Sequence, residues 1–280
     1  LTSQGSTDLT DQLTSIAPSI NTQRFPISDG TAVVRPVSLR NLPPDSTLVL
    51  VNGSRRHRSA LVNLQAEPFG TVNQGAQAVD FQLIPSIAIQ RLEVLRDGAS
   101  AQYGSDAIAG VINVILREDS FGFDINTQYG KFYSGDGESY QVAGNLGLPL
   151  GSDGFLNISG EYVSSGITSR GSARPDAADV AAFVGAENVP FNGLGQRWGD
   201  PDIEGWRFFA NGETNFGGVQ AYGHASYADH ETFSGFFYRT PFGVPGVNPR
   251  STLCNCTAGV PNNTPQQIVT DIINAGLNPD

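Results

Sequence analysis

The chain has 280 residues, enough for one or two domains. Its 33 glycines and 17 prolines, with 39% hydrophobic residues, point to a turn-rich β architecture rather than a helical one. A net charge of −11 argues against a nucleic-acid binder, which needs a basic face, and names no ligand, because acidic residues also solvate loops.

Methionine is absent, position 1 included, so a fragment or a processed product is expected. Residues 1–20 are polar and lack the basic and apolar regions of a signal peptide. No apolar run is long enough for a membrane-crossing helix, which leaves transmembrane strands open because their signal is much weaker.

Residues 6–17 open on a Ser/Thr/Asp cap and place Leu9, Leu13 and Ile16 at helical spacing. A helix is predicted there, stopped by Pro18. A turn follows at 28–30, and 31–39 reads as extended. Leu42-Pro43-Pro44-Asp45 is a turn. Residues 47–51 form a near-continuous apolar strand that runs into Asn52-Gly53, a strong hairpin signal. Residues 89–95 and 111–116 carry the Ile, Val and Leu of half-buried strands. Between them Asp97-Gly98 is a turn dipeptide. Residues 99–104 read as too short for an independent helix and suit a tight crossover. The small side chains of this knot suggest something packed inside a larger container.

The run I-Q-R-L-E-V-L-R-D-G-A-S-A-Q-Y-G-S-D-A-I-A-G-V-I-N-V-I-L-R, residues 89–117, resembles the plug domain of TonB-dependent outer-membrane receptors almost without departure. The block S-L-R-N-L-P-P-D-S-T-L-V-L-V-N-G-S-R-R-H, residues 38–57, resembles the same family. There Asn41 replaces the common glycine, and the Pro-Pro pair is a variation. The resemblance covers residues 1–118 and implies a plug that ends near Arg117-Glu118. It also implies plug–barrel ion pairs for Arg91, Glu93 and Arg96. Arg55, Arg56, His57 and Arg58 have two readings. They pair with carboxylates lining the container, as confined arginines normally do, or they face a ligand vestibule and attract an anionic or hydroxyl-rich solute. Pairing is favoured, since charge runs are usually structural. Residues 98–104 lack the Gly-Lys-Ser/Thr ending of a phosphate loop, so no nucleotide site is expected.

After residue 118 the pattern becomes period two. Phe121, Phe123, Ile125, Thr127 and Tyr129 alternate with small or polar residues. The same alternation recurs around 140–148, 156–162, 206–211 and, more weakly, 219–227. A soluble sandwich could alternate in this way. Segments of about ten residues favour a transmembrane barrel. So do aromatic ends at Tyr129, Tyr140, Phe155, Tyr162, Trp206, Phe216 and Tyr227. The links at 151–153 and 217–218 are tight, whereas 166–204 and 233–280 are long. Long loops lie outside in such barrels, so the first strand runs outward. Plugged barrels have about 22 strands, so the rest is expected beyond residue 280. The expected fold is mainly β. An α+β plug at 1–118, its N-terminal end missing, precedes the first five antiparallel barrel strands and their extracellular loops at 119–280.

Asp200, Asp202 and Glu204 alternate oxygens as a calcium loop does, but Asn211 stands where the bidentate glutamate belongs. An acidic barrel-mouth cluster is the favoured reading. His57, His224 and His230 have no metal-ligand spacing, and His224 reads as a lumen-lining residue. Trp198, Phe236, Phe237 and Tyr238 either pack the loops together or stack on a ligand ring. Residues 264–275 look helical. Cys254 and Cys256 form one local disulfide that staples the last loop, or bond elsewhere.

The resemblance implies TonB-dependent import of a scarce solute, an iron chelate, cobalamin or an oligosaccharide, across the bacterial outer membrane. Its partners would be the TonB energy-coupling complex, the small-molecule or oligosaccharide ligand and outer-membrane lipid. No cofactor is expected, and no catalytic constellation stands out. The alternatives are a passive or structural barrel and, less so, a secreted β-rich enzyme or adhesin.

Overall fold

The computed structural model describes residues 9–22, 32–63, 75–96, 99–173, 181–182, 185–189, 191, 197 and 199–235. The chain divides into two compact units. One comprises Leu1–Thr168 with Asp200–Ser234, the other Ser169–Gly199 with Gly235–Asp280. In the second, a 3-10 turn spans Ala186–Asn188, and the Arg197 guanidinium lies 4.5 Å from the centre of the Phe191 ring. All the elements below belong to the first unit.

Helix α1 (Leu9–Ile16) forms where the leucine spacing predicts it, with Leu9 and Leu13 buried. The chain then turns at Pro18 into β1 (Ile20–Asn21), which pairs with β2 (Ser38–Leu39). Of the described residues 32–39 only these last two form a strand; residues 32–34 turn instead. Asp80 accounts for the difference. Its carboxylate takes the Arg35 backbone N–H at 3.1 Å, and Pro36 has no N–H to offer a ladder.

Strand β3 (Thr47–Val51) is buried along its whole length, as a continuous apolar run requires. Asn52 at φ 48 and Gly53 at φ 76 supply the two positive angles of a type I′ turn into β4 (Ser54–Arg55). Strands β5 (Ile89–Leu95) and β6 (Gly110–Leu116) complete a sheet of order β4-β3-β6-β5, with β3 and β6 parallel and the outer pairs antiparallel. Gly110 sits at φ 138, where a Cβ would strike the Leu95 carbonyl oxygen, so only glycine lets β5 and β6 close.

Residues 99–104 depart from expectation. Ala99–Tyr103 form a short helix, α2, closed by a 3.0 Å bond from Gly104 N–H to the Ser100 carbonyl and followed by a 3-10 turn at Ser105–Ala107. Nucleating so short a helix is unfavourable in isolation. Burial of Ala99 and Ala107 against Leu48, Leu50 and Val111 offsets that cost. Leu13, Leu39, Val51, Phe81, Ile84, Ile112 and Val114 fill the main core.

Beyond the plug, β7 (Gly122–Gly130), β8 (Ser139–Leu150), β9 (Gly154–Ser165), β10 (Asp202–Phe216) and β11 (Val219–Phe233) pair antiparallel in sequence order. The last two run well past the predicted segments, because the ladder continues after the apolar alternation ends at Asp202, Glu204, Asp229 and Glu231. Burial is inverted relative to a soluble sandwich. Gln141, Asn145, Asn157, Ser159, Glu161 and Arg207 are buried on the inner face, while Val142, Leu146, Ile158, Trp206 and Phe208 are exposed on the outer one. An apolar outer band over a polar interior is the arrangement lipid demands. On that face Tyr140, Tyr162, Trp206 and Phe208 form a continuous aromatic row, with ring centres 4.5 to 6.3 Å apart. Among the described residues no helix is long and apolar enough to cross a membrane.

Candidate functional site

The plug meets the wall chiefly through side-chain amides and charges. Asn52, at the hairpin tip, donates from Nδ2 to Asn211 Oδ1 on β10 at 3.0 Å. Its own Oδ1 accepts the Leu116 backbone N–H at 2.9 Å. Asn211 Nδ2 donates in turn to the Arg117 carbonyl at 2.9 Å. Two asparagines thus tie the hairpin, the end of β6 and the wall together. Arg117 then bridges Asp119 at 2.8 Å and Asp124 on β7 at 2.5 Å, which fixes the junction between plug and first strand.

A second contact centres on Glu161, buried on β9. It accepts from Arg207 Nη1 at 2.6 Å and Gln141 Nε2 at 2.7 Å, both on neighbouring strands, and from Ser86 Oγ of the plug at 3.4 Å. Confinement makes such a pair costly to break singly. Asp80, on the plug, feels the positive charge of both Arg207 and Arg35. Burial nonetheless outweighs those charges and the N–H bonds from Arg35 and Gln82, and it pushes the Asp80 carboxyl above its ordinary value.

Arg56 makes the third contact. Its Nη1 donates to Ser226 Oγ on β11 at 2.8 Å, and its guanidinium lies 5.5 Å from the centre of the Phe209 ring. Phe209 is the wall residue that joins the plug core. Full burial of such a side chain is worth about 1.5–3 kcal/mol. Burial holds the Arg56 pKa below its ordinary value, with Asp80 opposing. Partial burial and then Arg56 lower the neighbouring His57.

The four-residue basic run therefore divides. Arg55 and Arg58 both pair with Asp106 inside the plug, the latter at 3.5 Å, and Arg56 alone reaches the wall. Arg91 and Glu93 bond to each other at 2.9 Å on β5, Glu93 also takes Asn113 Nδ2 at 3.1 Å, and Arg96 is exposed. Among the described residues, Asn52, Arg56, Ser86 and Arg117 make the plug–wall polar contacts set out above. Asp202 and Glu204 lie on extended β10 rather than in a loop that could curl round a cation, and Glu204 accepts the Tyr162 hydroxyl at 2.6 Å. Among the described residues, Asp200, Asp202 and Glu204 included, no three His, Cys, Asp or Glu side chains group as metal ligands. Trp198, Phe236, Phe237, Tyr238, Cys254, Cys256, the turns at 28–30 and 97–98 and the helix at 264–275 lie outside the described residues.

Asn211 and the Glu161–Arg207 pair were missed as interface residues. Each stands at a polar position of an alternating strand, which was the available signal. A strand pattern does not reveal which polar positions face one another.

A small α+β domain held by amides and charges against strands that are apolar outside and polar inside defines a plugged transmembrane β-barrel. Residues 1–111 match the TonB-dependent Receptor Plug Domain. Over that stretch the chain is a plug domain of the kind found in TonB-dependent receptors of the outer membrane. It is 34% identical over 122 residues to the iron-regulated outer membrane virulence protein of Vibrio cholerae, a match covering 43% of this chain and 16% of that protein. It is 29% identical over 134 residues to the vitamin B12 transporter of Photobacterium profundum, covering 47% of this chain and 19% of that one. The chain thus spans less than a fifth of these relatives. A variant of the ferric enterobactin receptor from Pseudomonas aeruginosa shares the fold, at a TM-score of 0.59 and 17% identity over 83% of this chain and 32% of that one.

Proposed function

We propose that this chain is the plug and leading barrel strands of a receptor that imports a scarce solute across the outer membrane, energised by the TonB complex. The observation that carries this reading is the chemistry of the plug–wall contact. Asn52–Asn211, Arg56–Ser226 and Ser86–Glu161 are bonds that water can replace. A plug meant to stay would be sealed by apolar packing, which Phe209 supplies at one place only among the described contacts. Residues 1–118 act as the movable body on this reading, and 119–280 begin the fixed wall.

The solute class favoured is an iron chelate, since relatives named for iron regulation and for ferric enterobactin stand beside the vitamin B12 transporter. Trp198, Phe236, Phe237 and Tyr238 are the aromatic candidates to stack on it, and Arg55, Arg56, His57 and Arg58 the basic ones to attract it. The test is uptake of radiolabelled ferric siderophores by cells carrying the full-length receptor. Loss of TonB should abolish accumulation and leave surface binding intact. Undiminished accumulation without TonB would refute active import.

A further inference from the structure

We propose that the outer face of the wall carries a docking surface for the ammonium headgroup of an outer-leaflet phospholipid, centred on Tyr162, Trp206 and Glu204. It lies on the lipid side of the strands and is independent of the solute the receptor carries.

Register sets its height. Tyr129, Tyr140, Tyr162, Trp206 and Tyr227 each close the apolar outer run of their own strand. They do not share one row. Tyr129 pairs with Tyr140 in the row that continues through Ser164 to Glu204. Tyr162 and Trp206 pair one row further down, and Tyr227 pairs with Phe208 in the row after that. Strands tilted by roughly 35–45° carry a level boundary across rows in this stepwise way. The tight turns at 151–153 and 217–218 lie at the other end of the strands, which in such barrels is the periplasmic one. The aromatic edge therefore stands at the headgroups of the outer leaflet.

Charge selects the occupant. Glu204 stands directly opposite Glu231, and Asp229 directly opposite Trp206. Like charges placed opposite each other destabilise a ladder, so a cation between them lowers the energy. The Tyr162 hydroxyl donates to Glu204 at 2.6 Å and holds that carboxylate beside the rings. Trp206 is 51% exposed, with its ring centre 4.5 Å from that of Tyr162. An exposed indole attracts a cation, and the carboxylates add to that attraction, whereas a phosphate headgroup is repelled.

The other end of the same edge shows the arrangement filled from within the chain. There Tyr129 donates its hydroxyl to Glu138 at 3.3 Å, and the Lys131 ammonium meets that carboxylate at 3.6 Å. Glu204 and Tyr162 repeat the carboxylate and phenol. Lys131 is the only lysine in the sequence, so the chain has no second one to complete the set. A lipid ammonium supplies the same group at the same level.

The test uses the full-length receptor in mild detergent. It is offered equal amounts of dioleoyl phosphatidylethanolamine and dioleoyl phosphatidylglycerol without divalent cations, and its adducts are weighed by native mass spectrometry. Ethanolamine adducts should exceed glycerol adducts by roughly threefold, the worth of an exposed cation–π contact. Trp206→Leu and Glu204→Gln should each bring the two lipids to parity. Parity on the parent overturns the proposal, as do variants that keep the parent ratio. Glycerol adducts that dominate once magnesium is added overturn it in favour of a cation-bridged phosphate. If those two variants fail to fold, Glu231→Lys, at the exposed end of β11, places an ammonium there from within the chain. It should remove the ethanolamine excess, and an excess that survives it sinks the proposal.

Discussion

Glu161 and Arg207 face each other across β9 and β10 at 2.6 Å, both almost fully buried between wall and plug. Removing one partner leaves the other charged and dry. Glu161→Ala or Arg207→Ala should each cost about 3–5 kcal/mol, whereas Glu161→Leu combined with Arg207→Met should cost much less than the sum. Heat-modifiability of the folded barrel on gels, read as the temperature of collapse, checks this. A double change that costs the full sum of the two single changes would count against a coupled pair.

Asp80 makes a prediction about pH. Its folded carboxyl titrates above its ordinary value of 3.8, chiefly because it is buried. The folded state therefore holds the proton more tightly than the unfolded chain. Stability from this group is full below 3.8 and is lost as pH rises through the folded value. Asp80→Asn keeps an oxygen acceptor for Arg35 N–H and Gln82 N–H and should flatten that slope. Asp80→Ala leaves both donors unpaired and should cost about 1–3 kcal/mol for each. Collapse temperatures measured from pH 4 to 8 separate these outcomes.

The outer face tests the membrane assignment. Leu146→Arg puts a charge in the apolar band and should cost about 2–4 kcal/mol near its middle. Glu231→Arg, at the water-exposed end of β11, should cost little. Yields in the outer-membrane fraction should fall for the first and hold for the second. Equal yields would mean that Leu146 does not face lipid.

Topology has a direct readout. An epitope inserted at Gly135, in the link between β7 and β8, should bind antibody on intact cells. One inserted at Ser152, in the tight turn before β9, should bind only after the outer membrane is opened. The opposite pattern would invert the barrel.

Period-two alternation made the five strands legible, because lipid imposes its preference on every second residue regardless of what the rest of the chain does. The plug knot was legible for another reason. Gly110 and the small residues around it are forced by backbone contact, and so leave their mark on the order of residues. The short helix at Ala99–Tyr103 was not legible, since its stability comes from Leu48 and Leu50, far away in the chain.

What the sequence determined by itself was the kind of machine: a glycine-rich plug, then strands apolar on one face, joined alternately by short and long links. Local sterics and the solvent on each side set those features, and both act residue by residue. Which residues clasp across the interface was decided only by tertiary structure. Arg55 and Arg58 converge on Asp106, Arg91 turns to Glu93, and Asn211 meets Asn52 from 159 positions away. Such pairings depend on strand register and on how the plug sits against the wall, and polar residues of one strand face are interchangeable until that geometry selects among them.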